Sequence, residues 1–218
     1  MTKKYIVLFL LFIVPILAYV FFGSGVNNFA KLPILADNIL DLDEFTDSEG
    51  KSVTLKDKIT LIQFLGDNPV ERQVSAYNLV HKIYKKNHSF YDFQLITIMP
   101  NDAQEKIKPV LQEINMAVED ISDWRFVYAE TRAIERFHKS LQSPNELSAE
   151  LYDPNVYIVD KDLNLRGRND DKESGIMYGY NAENYAEINN KLGDDIKVLL
   201  AEYRLALKRN NRNDYLVQ

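Results

Sequence analysis

The sequence predicts an α/β sandwich with a central mixed sheet, preceded by one N-terminal transmembrane helix. Three observations carry that expectation. Tyr5 to Phe22 is an unbroken run of apolar, aromatic and proline residues directly behind Lys3 and Lys4. After it, short β-branched runs alternate with segments whose apolar residues recur every three or four positions, the order of an α/β domain. The 218 residues are 46% apolar and 27% charged, which is enough hydrophobic material for a buried core and too much for a wholly disordered chain.

The apolar run comes first. As a helix rising about 1.5 Å per residue it spans roughly 27 Å, close to the hydrocarbon thickness of a bilayer. Pro15 lies inside it, where membrane helices tolerate proline. A cleaved signal peptide is the competing reading, because Gly23-Ser24-Gly25 supplies small residues, but signal-peptide cores run only about 7 to 15 residues. The length favours an uncleaved anchor, and no cysteine follows for lipid attachment. Lys3 and Lys4 set residues 1–4 on the cytoplasmic side, 5–22 in the membrane, 23–41 as a tether and 42–218 as an extracytoplasmic domain, periplasmic in a Gram-negative cell.

Within 42–58, Ser48-Glu49-Gly50-Lys51 is a turn signal between segments able to pair as a hairpin. A calcium loop fails there on spacing: with Gly50 at the sixth position, Phe45 and Lys56 fall where carboxylates are needed. ITLIQFL at 59–65 reads as a buried central strand, closed by Gly66-Asp67-Asn68-Pro69. Residues 70–86 carry Val74, Tyr77, Val80 and Tyr84 at helical spacing. Phe93 to Ile98 reads as a strand, and 101–118 as a helix with Pro109 marking its first turn. WRFVY at 124–128 is a strand, and Thr131 to Leu141 a helix with Ile134, Phe137 and Leu141 on one face. VYIVD at 156–160 and LNLRGR at 163–168 form an antiparallel pair. A last helix covers 183–208 with Ile188, Leu192, Ile196, Leu199, Tyr203 and Leu207 as its stripe.

Composition excludes several functions. Lys and Arg total 26 against 32 Asp and Glu, a net charge of −6, and the first 25 residues hold two lysines and no acid. A domain this acidic is a poor nucleic-acid binder. The absence of cysteine removes disulfides, thiolate metal sites, thiol nucleophiles and dithiol redox chemistry.

VTLKDKITLIQFLG, WRFVYAETRAIERFHKSL, DPNVYIVDKDLNLRGR and LGDDIKVLLAEY together resemble the Sco family, membrane-anchored thioredoxin-like proteins that deliver copper during cytochrome c oxidase assembly. The resemblance covers about residues 42 to 205. It implies a thioredoxin-like three-layer sandwich, and it places Pro154 where thioredoxins carry a cis-proline. It also implies a C-x-x-x-C pair after the first central strand and a histidine just before YIVD. Here the first window reads GDNPVERQ, Gly66 to Gln73, and the second position falls at or near Tyr152. All three copper ligands are missing, and a phenol is a poor ligand for a soft copper ion.

Other residues offer little to replace them. His81, His88 and His138 are the histidines, and Met99, Met116 and Met177 the methionines beyond the initiator. His88 is expected in an exposed loop and His138 facing solvent, so no metal-binding residue, catalytic residue or cofactor is assigned. Asp170 with Asp171 and Asp194 with Asp195 are expected to be solvated, the second pair favouring a helix start. No G-x-S-x-G elbow or phosphate-binding glycine loop is present. Asn87-His88-Ser89 matches a glycosylation sequon. Tyr178, Tyr180 and Tyr185 are expected to seal the sheet edge, the alternative being a partner-binding surface, and Arg204, Lys208, Arg209 and Arg212 to complement a helix C-terminus.

The expected function is that of a membrane-anchored, extracytoplasmic, non-catalytic interaction or assembly factor for a respiratory or envelope complex, the assembly role being implied by the resemblance alone. The alternatives are a metal-binding protein with His and Met ligands and a redox enzyme with an unrecognised cofactor. The expected interaction face is Asp67, Asn68, Pro69, Val70, Glu71, Tyr152, Asp153 and Pro154, offered to a protein partner with a basic or mixed surface; a small-molecule substrate is not expected.

Overall fold

The protein is described by a computed structural model over residues 3–23 and 31–214. The N-terminal unit contains α1, Lys3–Gly23. Its stretch Lys3–Val20 has a mean hydropathy of 2.0, so α1 is long and apolar enough to cross a membrane.

The second unit begins at Lys31. Its elements run β1 (Ile34–Ala36), β2 (Ile59–Leu65), α2 (Gln73–Leu79), a π-helical turn (Val80–Tyr84), α3 (Lys85–Asn87), β3 (Phe93–Pro100), α4 (Lys108–Ala117), β4 (Trp124–Ala129), α5 (Thr131–Ser140), β5 (Tyr152–Val159), β6 (Leu165–Arg166), β7 (Arg168–Asp171), β8 (Gly175–Met177), β9 (Tyr180–Asn181), α6 (Tyr185–Glu187), a second π-helical turn (Ile188–Leu192) and α7 (Gly193–Asp214). The main sheet has the order β1-β6-β5-β2-β3-β4, with β9 also paired to β5. β2, β3 and β4 are parallel, whereas β5 runs antiparallel to β2. The sheet is therefore mixed.

β2 is buried along its whole length because both of its faces are covered. Leu61 and Leu65 join one apolar layer with Leu79 of α2, Ile114 of α4 and Ile196 and Leu199 of α7. Ile62 and Phe64 point to the other layer, with Ile134 and Phe137 of α5 and with Leu42 and Phe45. Alternation of side chains along a strand produces this division, and the result is three layers. Its two polar residues are both satisfied, Gln63 by the Ser75 hydroxyl at 2.7 Å and Thr60 by the Gln94 side-chain amide at 2.9 Å.

Several expectations change. Residues 31–41, read as tether, belong to the domain: Leu32, Ala36 and Ile39 are buried, and β1 pairs with β6. The pairing partner lies some 130 residues away, so local periodicity could not reveal it. The 42–58 hairpin reduces to one Thr46–Ser52 bridge, since Thr46 also bridges Tyr128 of β4. The single helix expected over 70–86 starts at Gln73 and widens into the π-helical turn, which lets Val80, Ile83 and Tyr84 all be buried. Pro109 sits in the first turn of α4, as the sequence predicts.

Candidate functional site

The chain leaves β2 through Gly66, whose φ of +73° suits a residue without Cβ. A Cβ there would lie 2.6 Å from the Glu150 carbonyl oxygen and 3.1 Å from Tyr152 Cβ. The backbone is thus pressed against the start of β5, and the Asp67 N–H donates to the Glu150 carbonyl at 3.0 Å. The two segments expected to converge, 66–73 and 152–154, do meet.

Tyr152 anchors the junction. Its ring is 8% exposed under the Arg72 guanidinium, which sits 4.3 Å from the ring centroid. Its hydroxyl donates to Glu183 Oε1 at 2.6 Å. Burial, then that hydrogen bond to a carboxylate, push the phenol well above its ordinary range, so it stays a neutral donor. Beside it opens a cavity of about 490 Å³ lined by Asp67, Asn68, Glu71, Arg72, Lys106 and Glu150. Lys106 Nζ donates to the Asp67 carbonyl at 3.1 Å and to Asp102 Oδ2 at 3.0 Å. The Ser148 hydroxyl holds Glu150 below the usual carboxylate range, assisted by a backbone N–H and by Arg72. The cavity therefore offers carboxylates and two cations, with Val70 exposed at its edge.

Asp153 does not join this face. It is 1% exposed and turned into the opposite layer, where Oδ2 accepts from the Tyr157 hydroxyl at 2.5 Å and lies 2.9 Å from His138 Nε2. Its Oδ1 accepts from the Asn155 backbone N–H and side-chain amide, both at 2.8 Å. His138 is 7% exposed, not solvent-facing, and packs edge-on to Phe64 at 4.9 Å. Pro69 is buried as well. Asp67, Asn68 and Glu71 thus form the accessible acidic and polar part of the expected site.

Pro154 is trans; no cis peptide bond occurs among the described residues. Gln63 pairs with Val156 and Phe64 with Asp153, so Pro154 and Asn155 form a bulge in β5. A bulge is where a strand accommodates a proline, which lacks an N–H to donate. The Pro154 carbonyl accepts from Ala182 N–H at 2.8 Å, and Asn155 and Val156 pair with β9. The edge of β5 at this bulge is closed by the chain itself.

Sequence reasoning missed Arg72, Lys106, Glu150 and Glu183. It also treated 178–185 as a rival surface, whereas the Tyr152–Glu183 hydrogen bond makes that segment continuous with the loop after β2. Tyr180 is fully buried with its hydroxyl on Asp195 Oδ2 at 2.6 Å, as expected of an edge seal, while Tyr185 is exposed under the Lys82 ammonium. Asp195, expected to be solvated, is instead buried between Tyr180 and Arg168. His88 stacks on Tyr84 at 5.5 Å, half-buried at the end of α3. Among the described residues no group of three His, Asp or Glu is arranged to hold a metal ion.

No protein-family model matches the sequence, and no curated protein matches it. Solved structures do. A SCO1/SenC family lipoprotein from Bacillus anthracis str. Ames aligns at TM-score 0.53 and 20% identity, over 81% of this chain and 99% of that one. The fold is the thioredoxin-like fold of Sco proteins. An Aquifex aeolicus VF5 protein provisionally described as an electron transfer protein aligns at TM-score 0.53 and 18% identity, over 76% of this chain and 92% of that one. A Bacteroides thetaiotaomicron protein provisionally described as a protein disulfide isomerase aligns at 0.52 and 15%, over 79% and 95%. On the Sco-like scaffold the loop after β2 is Gly66–Gln73, which contains no sulfur donor.

Proposed function

We propose that this chain is a membrane-anchored, extracytoplasmic Sco-like protein that binds a partner protein as a non-catalytic interaction or assembly factor for a respiratory or envelope complex. The observation carrying this reading is a Sco-like scaffold whose β2 loop has no thiol, so neither thiol redox chemistry nor thiolate capture of a soft copper ion has a donor there. What the loop keeps is a shaped surface: Asp67, Asn68, Glu71 and Glu150 around a cavity, Val70 at the edge and Tyr152 fixing the floor. Acids beside an apolar edge suit a protein surface that is basic or mixed. The assembly role is supported by the sequence resemblance to Sco proteins. Anchoring is supported by the length and hydropathy of α1, and its orientation by Lys3 and Lys4.

The test is cross-linking in native membranes with Glu71→Lys and Tyr152→Ala, each checked for an unchanged circular dichroism spectrum. Loss of a specific cross-linked band in either variant is the expected result, Glu71→Lys by reversing an exposed charge and Tyr152→Ala by removing the buried ring that positions Arg72 and Glu183. An unchanged partner profile in both overturns the proposed face. Equilibrium dialysis against cuprous and cupric ions addresses the competing metal-binding reading, and stoichiometric tight binding would displace ours. Protease added to spheroplasts should digest the domain; a soluble product beginning near Gly25 would show a cleaved leader instead.

A further inference from the structure

β4 is an edge strand of the main sheet, and its outer side is covered in part. The Leu95 N–H donates to the Asp123 carbonyl at 2.8 Å, so Asp123, Arg125 and Val127 turn their main-chain groups toward β3, while Trp124, Phe126 and Tyr128 turn theirs outward. At one end Tyr128 exchanges both hydrogen bonds with Thr46: its N–H donates at 2.8 Å and its carbonyl accepts at 3.2 Å. At the other, the Trp124 N–H donates to the Ile121 carbonyl at 2.9 Å. Between these points the Trp124 carbonyl and the Phe126 N–H and carbonyl have no hydrogen-bond partner among the described residues.

The same residues line a groove. Trp124 and Phe126 stack at 5.6 Å with their planes 11° apart, and with Tyr128, Ile121 and Leu111 of α4 they border a space of about 340 Å³. Trp124 and Tyr128 are buried in the apolar layer that contains α4, and Phe126, Leu111 and Ile121 pack half-buried against it. Charges around the rim cancel, since Arg125 faces Asp47 at 4.0 Å and Lys108 pairs with Glu105. Glu119, Asp120 and Asp123 belong to the turn around Ile121 and do not line the groove.

Thr46 shows what kind of chain fits this edge. It pairs antiparallel, and two residues further on Ser48 would stand opposite Phe126. The chain leaves first, through the turn Asp47 to Gly50, where the Gly50 N–H donates to the Asp47 carbonyl at 3.0 Å and the Gly50 φ is +77°. The position beside Phe126 therefore continues a ladder that this chain starts and abandons. One extended residue opposite Phe126, followed by the N–H two residues later, satisfies all three free groups. A second copy is excluded by register: joining two β4 edges about Phe126 sets Tyr128 of each against Trp124 of the other, and Thr46 already holds both main-chain groups of Tyr128.

We propose that the β4 edge takes an extended segment of a partner protein, added antiparallel beside Phe126, with a leucine-sized apolar side chain in the groove against Leu111 and Ile121. Directly opposed residues of an antiparallel pair project from the same face, so one residue supplies both the main-chain bonds and the apolar contact. The neutral rim selects an uncharged segment. This surface shares no lining residue with the cavity beside Gly66, and it gives the domain a binding site beyond the function proposed above.

The probe is the peptide acetyl-Thr-Leu-Thr-Val-Thr-amide, titrated into the isotope-labelled full chain in nanodiscs of zwitterionic lipid and followed by NMR. A saturable downfield shift of the Phe126 amide, with slowed hydrogen exchange there, is expected. N-methylation of the peptide's leucine removes the donor to the Phe126 carbonyl and should weaken binding about tenfold. Phe126→Ala keeps the outward N–H and Phe126→Pro removes it without breaking the ladder to β3, so the proline variant should bind about tenfold more weakly than the alanine variant. Should Phe126→Pro fail to fold, the N-methylated peptide decides on the unmodified chain. No saturable shift, or a shift indifferent to N-methylation, overturns the inference. So does concentration-dependent self-association that the peptide competes away, which would assign the edge to a second copy. Glu71→Lys should leave the titration unchanged; loss of the peptide in that variant would place it in the other cavity and overturn this inference while leaving the proposed function standing.

Discussion

His138 Nε2 and Asp153 Oδ2 lie 2.9 Å apart in the layer beneath the candidate site, the aspartate one position along β5 from Tyr152. The pair ties α5 to the strand that carries the floor of the cavity. His138→Ala leaves Asp153 with the Tyr157 hydroxyl and the Asn155 donors but opens a void against Phe64. A loss of about 2 kcal/mol of unfolding free energy is expected from the missing partner and packing, measurable by urea denaturation. A loss within experimental error of zero would show that the pair is dispensable.

Gly66 is a second point of sensitivity. Gly66→Ala imposes a Cβ on a positive φ and sets it 2.6 Å from the Glu150 carbonyl oxygen. Strain of this kind costs about 1–3 kcal/mol, which in a domain of this size lowers the melting temperature by roughly 2–12 °C. The damage should be concentrated at the junction, so hydrogen exchange of the Asp67 amide should accelerate more than that of amides in β3.

Acid should loosen the β7–β8 hairpin before it unfolds the sheet. The Lys191 ammonium, then backbone N–H groups of Ser174 and Glu173, lower the Asp171 carboxyl from 3.8 to about 2. A carboxyl depressed in the folded state stabilises above its unfolded value and loses that contribution as pH falls through its folded one. The expected window is pH 4 down to 2. Lys191→Met should raise the Asp171 midpoint, read by NMR titration of its side-chain carbon; an unmoved midpoint would contradict the assignment.

The sequon at Asn87 should remain unmodified. Its side-chain amide donates to the Ile83 carbonyl at 2.8 Å, and the residue is 7% exposed at the end of a helix. Expression through a eukaryotic secretory pathway, followed by glycosidase treatment, should give no mobility shift.

Strands with concentrated apolar runs were legible. The bounds of β2 match ITLIQFL because a central strand needs burial on both faces and little else. β5 begins four residues before VYIVD because Tyr152, Asp153 and Asn155 are polar yet satisfied by Glu183, His138 and Asn181, partners 15 to 31 residues away or across a strand. Local patterning carries no trace of such partners. His138 was legible in principle, since it lies four residues after Ile134 and three before Leu141 and so beside the apolar stripe of α5. Of the site, the convergence of two segments followed from the resemblance, whereas Lys106 and Glu183 enter from elements whose approach only the folded chain reveals.

β2 also acts as a spacer. The eight residue steps from Lys58 to Gly66, at about 3.3 Å each, hold the two roughly 26 Å apart, and the strand's place inside the sheet makes that separation inextensible. The Gly66–Gln73 loop and the turn at Lys58 are therefore separate surfaces held at a fixed distance, and a ligand seated on Glu71 leaves the far end of the sheet free for a second one.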